Sequence, residues 1–290
     1  MPDPLYPYVG GKRRMLDFID ENTPEFAVYH EPFLGGGAVA LHLLRKRPEA
    51  TFMLSDLNAE IIHTWEQTRS NPEQLVELLQ EHASRHSREY FQSVRNWDRR
   101  VAWEDFYSPV ERAGRFIYIA STAYAGMWNT NSENQCISTY GKTEFRPKIT
   151  NLMRVSRLLN KRQVHLRQSS FEATGRHFAA GDFVYLDPPY STDFEDYEGW
   201  DSYQGGGGLG RDFQLKVKEF INRQTDKGVL VLASNASTPT TEFLYAGWNR
   251  ISREIVWTVG PARRTSTEVL WGNLHLARVL RQARERDSAQ

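Results

Sequence analysis

Residues 29–58 read YHEPFLGGGAVALHLLRKRPEATFMLSDLN, and this stretch decides the fold class. Tyr29 to Phe33 reads as a short strand that runs into Gly35, Gly36 and Gly37. Ala38 to Arg47 then carries apolar residues at helical spacing. Thr51 to Ser55 is the next strand, ending at Asp56, and Asn58 is placed to cap a helix through Thr68. Strand and helix alternating after a glycine turn predict an α/β fold with a parallel sheet.

Working outward, the pattern changes after residue 70. Residues 71–162 are mostly helical and rich in Arg, Tyr and Trp, with a turn-rich polar stretch, MWNTNSENQCISTYGKTEFRPK (127–148), inside them. Strand rhythm returns at Gln163 to Arg167, at Phe183 to Leu186 and at Gly228 to Ser234. The expected organisation is a catalytic α/β domain from residues 1–70 and 163–276 with a helical insertion at 71–162. The stretch YQGGGGLG (203–210) reads as a flexible loop, and residues 277–290 as a flexible tail.

The turn Gly35-Gly36-Gly37-Ala38-Val39-Ala40 fits G-x-G-x-x-G/A, and Asp56 follows it at the end of the second strand. Small residues there let backbone approach a ligand, and the acid can take a ribose hydroxyl. The turn therefore suits an adenosine-like ligand. NAD and S-adenosylmethionine fit it equally, and so does a plain helix-packing turn.

Composition excludes several classes. The chain has 290 residues, 40% hydrophobic and 25% charged, with zero formal net charge and one cysteine. That describes a globular protein with chain enough for a large core. No apolar run approaches the length of a membrane span. A lone Cys136 excludes an internal disulfide framework and a cysteine metal cluster, which points to a reducing, cytoplasmic-type compartment. Zero net charge hides an uneven distribution. From Glu111 to Arg167, ten basic residues, Arg112, Arg115, Arg146 and Lys148 among them, face three acids. Such a local excess is a footprint for a polyanion; a solvated helix face is the plainer reading.

Two further motifs carry chemistry. Phe183-Val184-Tyr185 leads into LDPPYS (186–191), a buried strand closed by an acid, two prolines and an aromatic ring. Prolines end strands and remove donors, and an ionisable carboxylate left at that end is unusual for a structural turn. Upstream, Tyr8-Val9-Gly10-Gly11-Lys12 offers close backbone approach and a cation able to pair a cofactor carboxylate. It does not fit the Walker phosphate-binding pattern.

Taken in series, PYVGGK, EPFLGGGAV, LSDLN, LDPPYS and VLASN resemble the Dam-type adenine-specific DNA methyltransferases over most of residues 6–273. The resemblance implies a Rossmann-like methyltransferase sheet with a target-recognition insertion. It also implies S-adenosylmethionine as methyl donor and transfer to an adenine 6-amino group in double-stranded DNA, with no metal. On the matching positions, Asp187, Pro188, Pro189 and Tyr190 are the catalytic tetrad. Tyr8, Gly11, Lys12, Phe33, Gly35, Gly37, Asp56, Phe171 and Asp187 are implied to hold the cofactor. Tyr124 is implied as a wedge in DNA. Arg146 and Lys148, within the basic stretch, are expected on the phosphates, and Arg263 and Arg264, expected in a loop before a strand from Glu268 to Asn273, are candidates for a second backbone clamp, with a solvated hairpin as the alternative. The sequence departs from GATC-reading members through much of 128–148.

The tetrad has a physical logic. A purine amine is a poor nucleophile because its lone pair is delocalised into the ring. The Asp187 carboxylate and the Pro188 carbonyl can each accept one amine hydrogen and aim the lone pair at the methyl donor. Methylation of a cytosine ring carbon is disfavoured, because that chemistry needs a cysteine nucleophile beside proline and Cys136 lies elsewhere. The alternatives are an amino-methyltransferase acting on the cytosine 4-amino group, RNA or protein glutamine, an NAD-dependent oxidoreductase, and an inactive DNA-binding module. A bacterial, phage or mobile-element setting, with a cognate restriction endonuclease as candidate partner, completes the expectation.

Overall fold

A computed structural model describes residues 3–8, 10–142, 144–190, 211–259 and 262–288. Its centre is the apolar run Phe183–Leu186, strand β4, buried at every position. Successive side chains of a strand point to opposite faces. Phe183 and Tyr185 accordingly join one apolar cluster with Tyr29, Leu43 and Phe52, and Val184 and Leu186 join another with Phe171, Phe220 and Val231. A strand so buried on both faces needs helices on both sides, the condition of a parallel sheet.

In chain order the elements are α1 (Leu16–Glu21), β1 (Val28–Glu31), α2 (Ala38–Lys46), β2 (Thr51–Asp56), α3 (Ala59–Ser70), α4 (Pro72–Ser84), α5 (Arg88–Arg95), α6 (Pro109–Thr122) and α7 (Ile149–Lys161). There follow β3 (Gln163–Gln168), α8 (Phe171–Thr174), β4, α9 (Arg211–Asp226), β5 (Leu230–Ala236), α10 (Pro239–Leu244), β6 (Asn249–Val259), β7 (Ala262–Gly272) and α11 (Leu274–Ser288). The seven strands form one sheet in the order β3-β2-β1-β4-β5-β7-β6. The first five are parallel, and β7 runs antiparallel to both β5 and β6. Strand order reverses between β1 and β4, and such a reversal opens a crevice at the carboxyl ends of the strands.

The α/β class and the Rossmann-like sheet read from the sequence are present. Local signals also fare well: the Asn58 side chain caps α3 by accepting from the Glu60 N–H at 2.9 Å. The first strand stops at Glu31 rather than Phe33, because Pro32 has no N–H to give to the ladder. Leu75, Phe91, Phe116 and Leu152, from the helices between α3 and β3, lie in the same apolar cluster as Tyr29 and Phe52, so these helices extend the core of the sheet.

Two expectations need correcting. Residues 277–290, read as a flexible tail, are helical as far as Ser288, because Leu276 and Leu280 give α11 a buried stripe. Arg263 and Arg264, expected in a loop, sit within β7, paired with Thr258 and Trp257 of β6; their side chains are outside the described set. The glycine-rich stretch 203–210 also lies outside the described residues. Among the described residues no helix is long and apolar enough to cross a membrane.

Candidate active site

The parallel strands deliver three acids to one rim of the sheet. Glu31 ends β1 and Asp56 ends β2, while Asp187 follows β4 directly. All three line a cavity of about 440 Å³, together with Tyr8, Gly11, Lys12, Phe33, Gly35, Gly37, Lys148, Pro188, Pro189 and Tyr190. Motifs far apart in the chain therefore share one enclosure of the size that holds small ligands.

Asp187 is held from two sides. The Lys12 ammonium lies 2.6 Å from its Oδ1, and the Ser234 hydroxyl donates to the same oxygen at 2.7 Å. Ser234 is in place because Leu186 and Ala233 are paired in the β4–β5 ladder. Oδ2 is the oxygen that neither of them holds. Lys12 arrives through the turn at Gly10, where φ is +76°, with the Gly11 N–H bonded to the Tyr8 carbonyl at 3.1 Å. Its ammonium also donates to the Gly10 carbonyl at 2.6 Å and sits 4.7 Å from the centre of the Tyr190 ring. Burial alone would lower the Lys12 pKa, but Asp187 and Tyr190 beside it outweigh that and hold it above the ordinary lysine value. Lys12, expected to meet a cofactor carboxylate, is here the partner of Asp187.

The following residues are braced as well. Gln214 Nε2 donates to the Pro189 carbonyl at 2.9 Å, while its Oε1 accepts from Asn235 at 2.8 Å and from Tyr245 at 3.0 Å. Gln214, Asn235 and Tyr245 are all fully buried, and a satisfied buried network of this kind fixes geometry.

Glu31 was not singled out from the sequence. Its carboxylate is buried in the cavity wall and accepts from the Tyr29 hydroxyl at 2.6 Å. Burial pushes its pKa up to about 8, against the lowering effect of Tyr29 and with the Asp187 charge adding to the rise. Ser234 and Gln214 were missed too. For Ser234 a signal existed in VLASN, which flanks the tetrad across one ladder; for Gln214, in the first turn of α9, none did.

At the end of β2, Asp56 Oδ2 accepts from the Gly35 N–H and Oδ1 from the Asn58 N–H, both at 2.9 Å. Burial raises its pKa to about 6 in spite of these bonds. The glycines are needed for protein packing. A Cβ on Gly35 would stand 2.7 Å from the Tyr8 ring, and one on Gly37, where φ is +66°, 2.3 Å from Trp65. Phe33 lines the cavity and packs against Phe171, ring centres 5.3 Å apart and planes tilted by 30°. Phe171 itself lies behind it in the core, so the aromatic face at the cavity is that of Phe33. An aromatic face, a buried acid at the end of β2 and a second acid able to meet an ammonium group fit a nucleoside bearing an amino-acid tail.

The expected DNA contacts divide. Tyr124 is 63% exposed, beyond the cavity wall, and Lys148 is within that wall. Arg146 is exposed and paired with Glu144 at 2.9 Å. Part of the basic excess is internal: Arg115 is buried against Asp98, and Arg112 is paired with Glu60 at 3.1 Å. These two cations serve the fold, so the surface footprint is smaller than a count of charges implies.

Comparison with known proteins agrees with this geometry. The family model of the D12 class N6 adenine-specific DNA methyltransferases matches residues 8–259. A type II methyltransferase, M1.LlaDCHI, of Lactococcus lactis subsp. cremoris is 34% identical, over 93% of this chain and 95% of its own. The type II methyltransferase M.MjaIII of Methanocaldococcus jannaschii is 28% identical, over 85% of this chain and 89% of its own. A DNA adenine methylase of Vibrio cholerae is 22% identical, over 83% of each. With the tetrad, the glycine turn and the Gly10-Gly11-Lys12 turn gathered in one cavity, and with a family match over most of its length, this chain belongs to the D12 class N6 adenine-specific DNA methyltransferases.

Proposed function

We propose that the cavity seats S-adenosylmethionine beside an adenine swung out of duplex DNA, and that Asp187 and the Pro188 carbonyl direct the 6-amino nitrogen toward the methyl group. When bound, the cofactor supplies an electrophilic methyl on a sulfonium sulfur. The protein's share is positioning and electrostatics. Asp187 Oδ2 accepts one amine hydrogen and the Pro188 carbonyl accepts the other, which draws the nitrogen toward tetrahedral geometry and frees its lone pair. Tyr190 stacks on the base. Asp56 takes the ribose hydroxyls, and Phe33 and Tyr8 offer apolar faces to the cofactor. Orientation effects of this kind are worth roughly 7–11 kcal/mol at best. Extruding the base costs a few kcal/mol, offset by phosphate contacts from cations such as Lys148 and by a wedge such as Tyr124.

The observation that carries this reading is the Asp187 carboxylate at the cavity wall, with one oxygen fixed by Lys12 and Ser234. The type II names of two relatives support a restriction–modification setting with a cognate endonuclease. Single-molecule sequencing of plasmid DNA from an expressing host tests the substrate. Methyl marks on adenine in one short sequence are expected. Marks on the cytosine 4-amino group, or none, would overturn the reading.

A further inference from the structure

The two prolines after Asp187 leave the chain little freedom. Their rings lock φ at Pro188 and Pro189, and Asp187 and Pro188 each precede a proline, which narrows ψ there as well. The Pro188 carbonyl lies in the chain between the Asp187 side chain and the Pro189 carbonyl. Lys12 and Ser234 anchor the first of these two points, on Oδ1. Gln214 anchors the second: its Nε2 donates to the Pro189 carbonyl at 2.9 Å, across 25 residues of sequence. Pro188 itself lines the cavity, and among the described residues no group donates to its carbonyl.

An amide can turn either its oxygen or its nitrogen to a neighbour, and here the choice is dictated from behind. Asn235 Oδ1 accepts from the Ala236 N–H at 2.9 Å, which turns its Nδ2 toward Gln214. That nitrogen and the Tyr245 hydroxyl both donate to Gln214 Oε1, at 2.8 and 3.0 Å. With two donors on its oxygen, the Gln214 amide presents its nitrogen to Pro189. The chain of amides joins α9, β5 and the residue that ends α10, and Gln214 is not among the residues lining the cavity. Packing of α9 on the sheet does not depend on it, because Val217, one turn on, is fully buried with Leu186 and Val231. A buried polar chain costs desolvation unless its members are paired; what it supplies beyond packing is a direction.

We propose that Gln214 is a positioning residue for methyl transfer: by holding the Pro189 carbonyl it sets the direction of the Pro188 carbonyl, without itself touching substrate or cofactor. This rests on the function proposed above, in which the Pro188 carbonyl accepts an amine hydrogen. A merely structural amide would support folding and leave the chemical step alone, so the decisive quantity is the rate set against stability and affinity.

Two variants of the full-length protein test it. Gln214→Met keeps the length of the side chain and removes the donor. Val217→Ala opens a small cavity on the same helix without touching Pro189, and so reports what loss of stability alone does. For each, the single-turnover rate of methyl transfer is measured with saturating duplex DNA and S-adenosylmethionine, alongside both affinities and the melting temperature. Gln214→Met is expected to slow transfer by about tenfold, the scale of one hydrogen bond, with both affinities within a few-fold of wild type. Val217→Ala is expected to melt at a lower temperature with a rate within about threefold of wild type. A Gln214→Met rate within threefold of wild type, or a loss no greater than that of Val217→Ala, overturns the proposal. If Gln214→Met does not fold, Gln214→Asn, polar but one methylene short of Pro189, decides by the same comparison. Failure of both to fold also overturns it, since Gln214 would then serve the fold itself. If the wild type transfers no methyl to DNA, the reading of the site fails first and the proposal falls with it. An active wild type with an undiminished rate in Gln214→Met refutes the proposal alone.

Discussion

The Lys12 ammonium, from the turn before α1, and the Asp187 carboxylate, directly after β4, meet at 2.6 Å inside the cavity. The cation and the Ser234 hydroxyl both hold Oδ1, and in the function proposed above Oδ2 is the oxygen that meets the substrate amine. Lys12→Met should therefore lower the single-turnover rate of methyl transfer by about a hundredfold, the scale of one preorganised electrostatic contact. Rapid-quench measurement with labelled cofactor checks this; a rate within threefold of wild type would remove Lys12 from the catalytic arrangement.

Ser234 supplies the second hold on Oδ1 and receives the Tyr185 hydroxyl at 3.0 Å. A hydrogen bond to a charged group contributes about 1.5–3 kcal/mol, so Ser234→Ala should slow transfer by roughly tenfold to a hundredfold. The loss should appear in kcat, with KM for DNA little changed. A change confined to KM would mean that Ser234 does not orient the acid.

In the function proposed above, Asp56 takes the ribose hydroxyls. Asp56→Ala should raise the dissociation constant for S-adenosylmethionine by about tenfold or more, read by titration calorimetry and by loss of the thermal stabilisation the cofactor gives. Gly35 and Asn58 also lose a shared acceptor, so the apo protein should melt at a lower temperature. Unchanged affinity would place the ribose elsewhere.

Glu31 makes stability depend on pH. Folding raises its pKa from 4.5 to about 8, so within that window the folded chain keeps a proton that the unfolded chain has released. Its contribution is complete below pH 4.5 and is lost as pH rises through about 8. The full slope is at most about 1.4 kcal/mol per pH unit. Asp56 acts in the same sense but only up to about pH 6. His30, His42 and His82, lowered by burial, act in the opposite sense below pH 6.5. Urea midpoints between pH 6.5 and 8 should thus fall for the wild type and stay nearly level for Glu31→Gln. Parallel slopes in the two proteins would show that Glu31 is ionised throughout.

What could be read in advance was local. Gly37 announces its left-handed turn, Asn58 its cap, and the apolar run before Asp187 its buried strand, because each is decided by backbone geometry within a few residues. Contacts between distant segments were not legible. Nothing near Lys12 says that its partner is Asp187, and nothing near Ser234 says that a ladder pairing will set it against the same oxygen. Phe171 was assigned to the cofactor by position in a motif, yet Phe33 stands in front of it. Arg115 counted toward a basic surface because a charge total does not distinguish a guanidinium in solvent from one buried on Asp98. The glycine turn alone was equally compatible with a dinucleotide; only the accompanying motifs, brought into one cavity by the fold, separate the two.

The role of Asp187 is tested most directly by single-turnover transfer from labelled S-adenosylmethionine to duplex DNA by Asp187→Asn, with cofactor and DNA affinities measured on the same preparation. Expected is a rate at least about a hundredfold below wild type with both affinities within a few-fold. Transfer at a rate close to wild type would contradict the assignment of this carboxylate as the acceptor that directs the adenine amine.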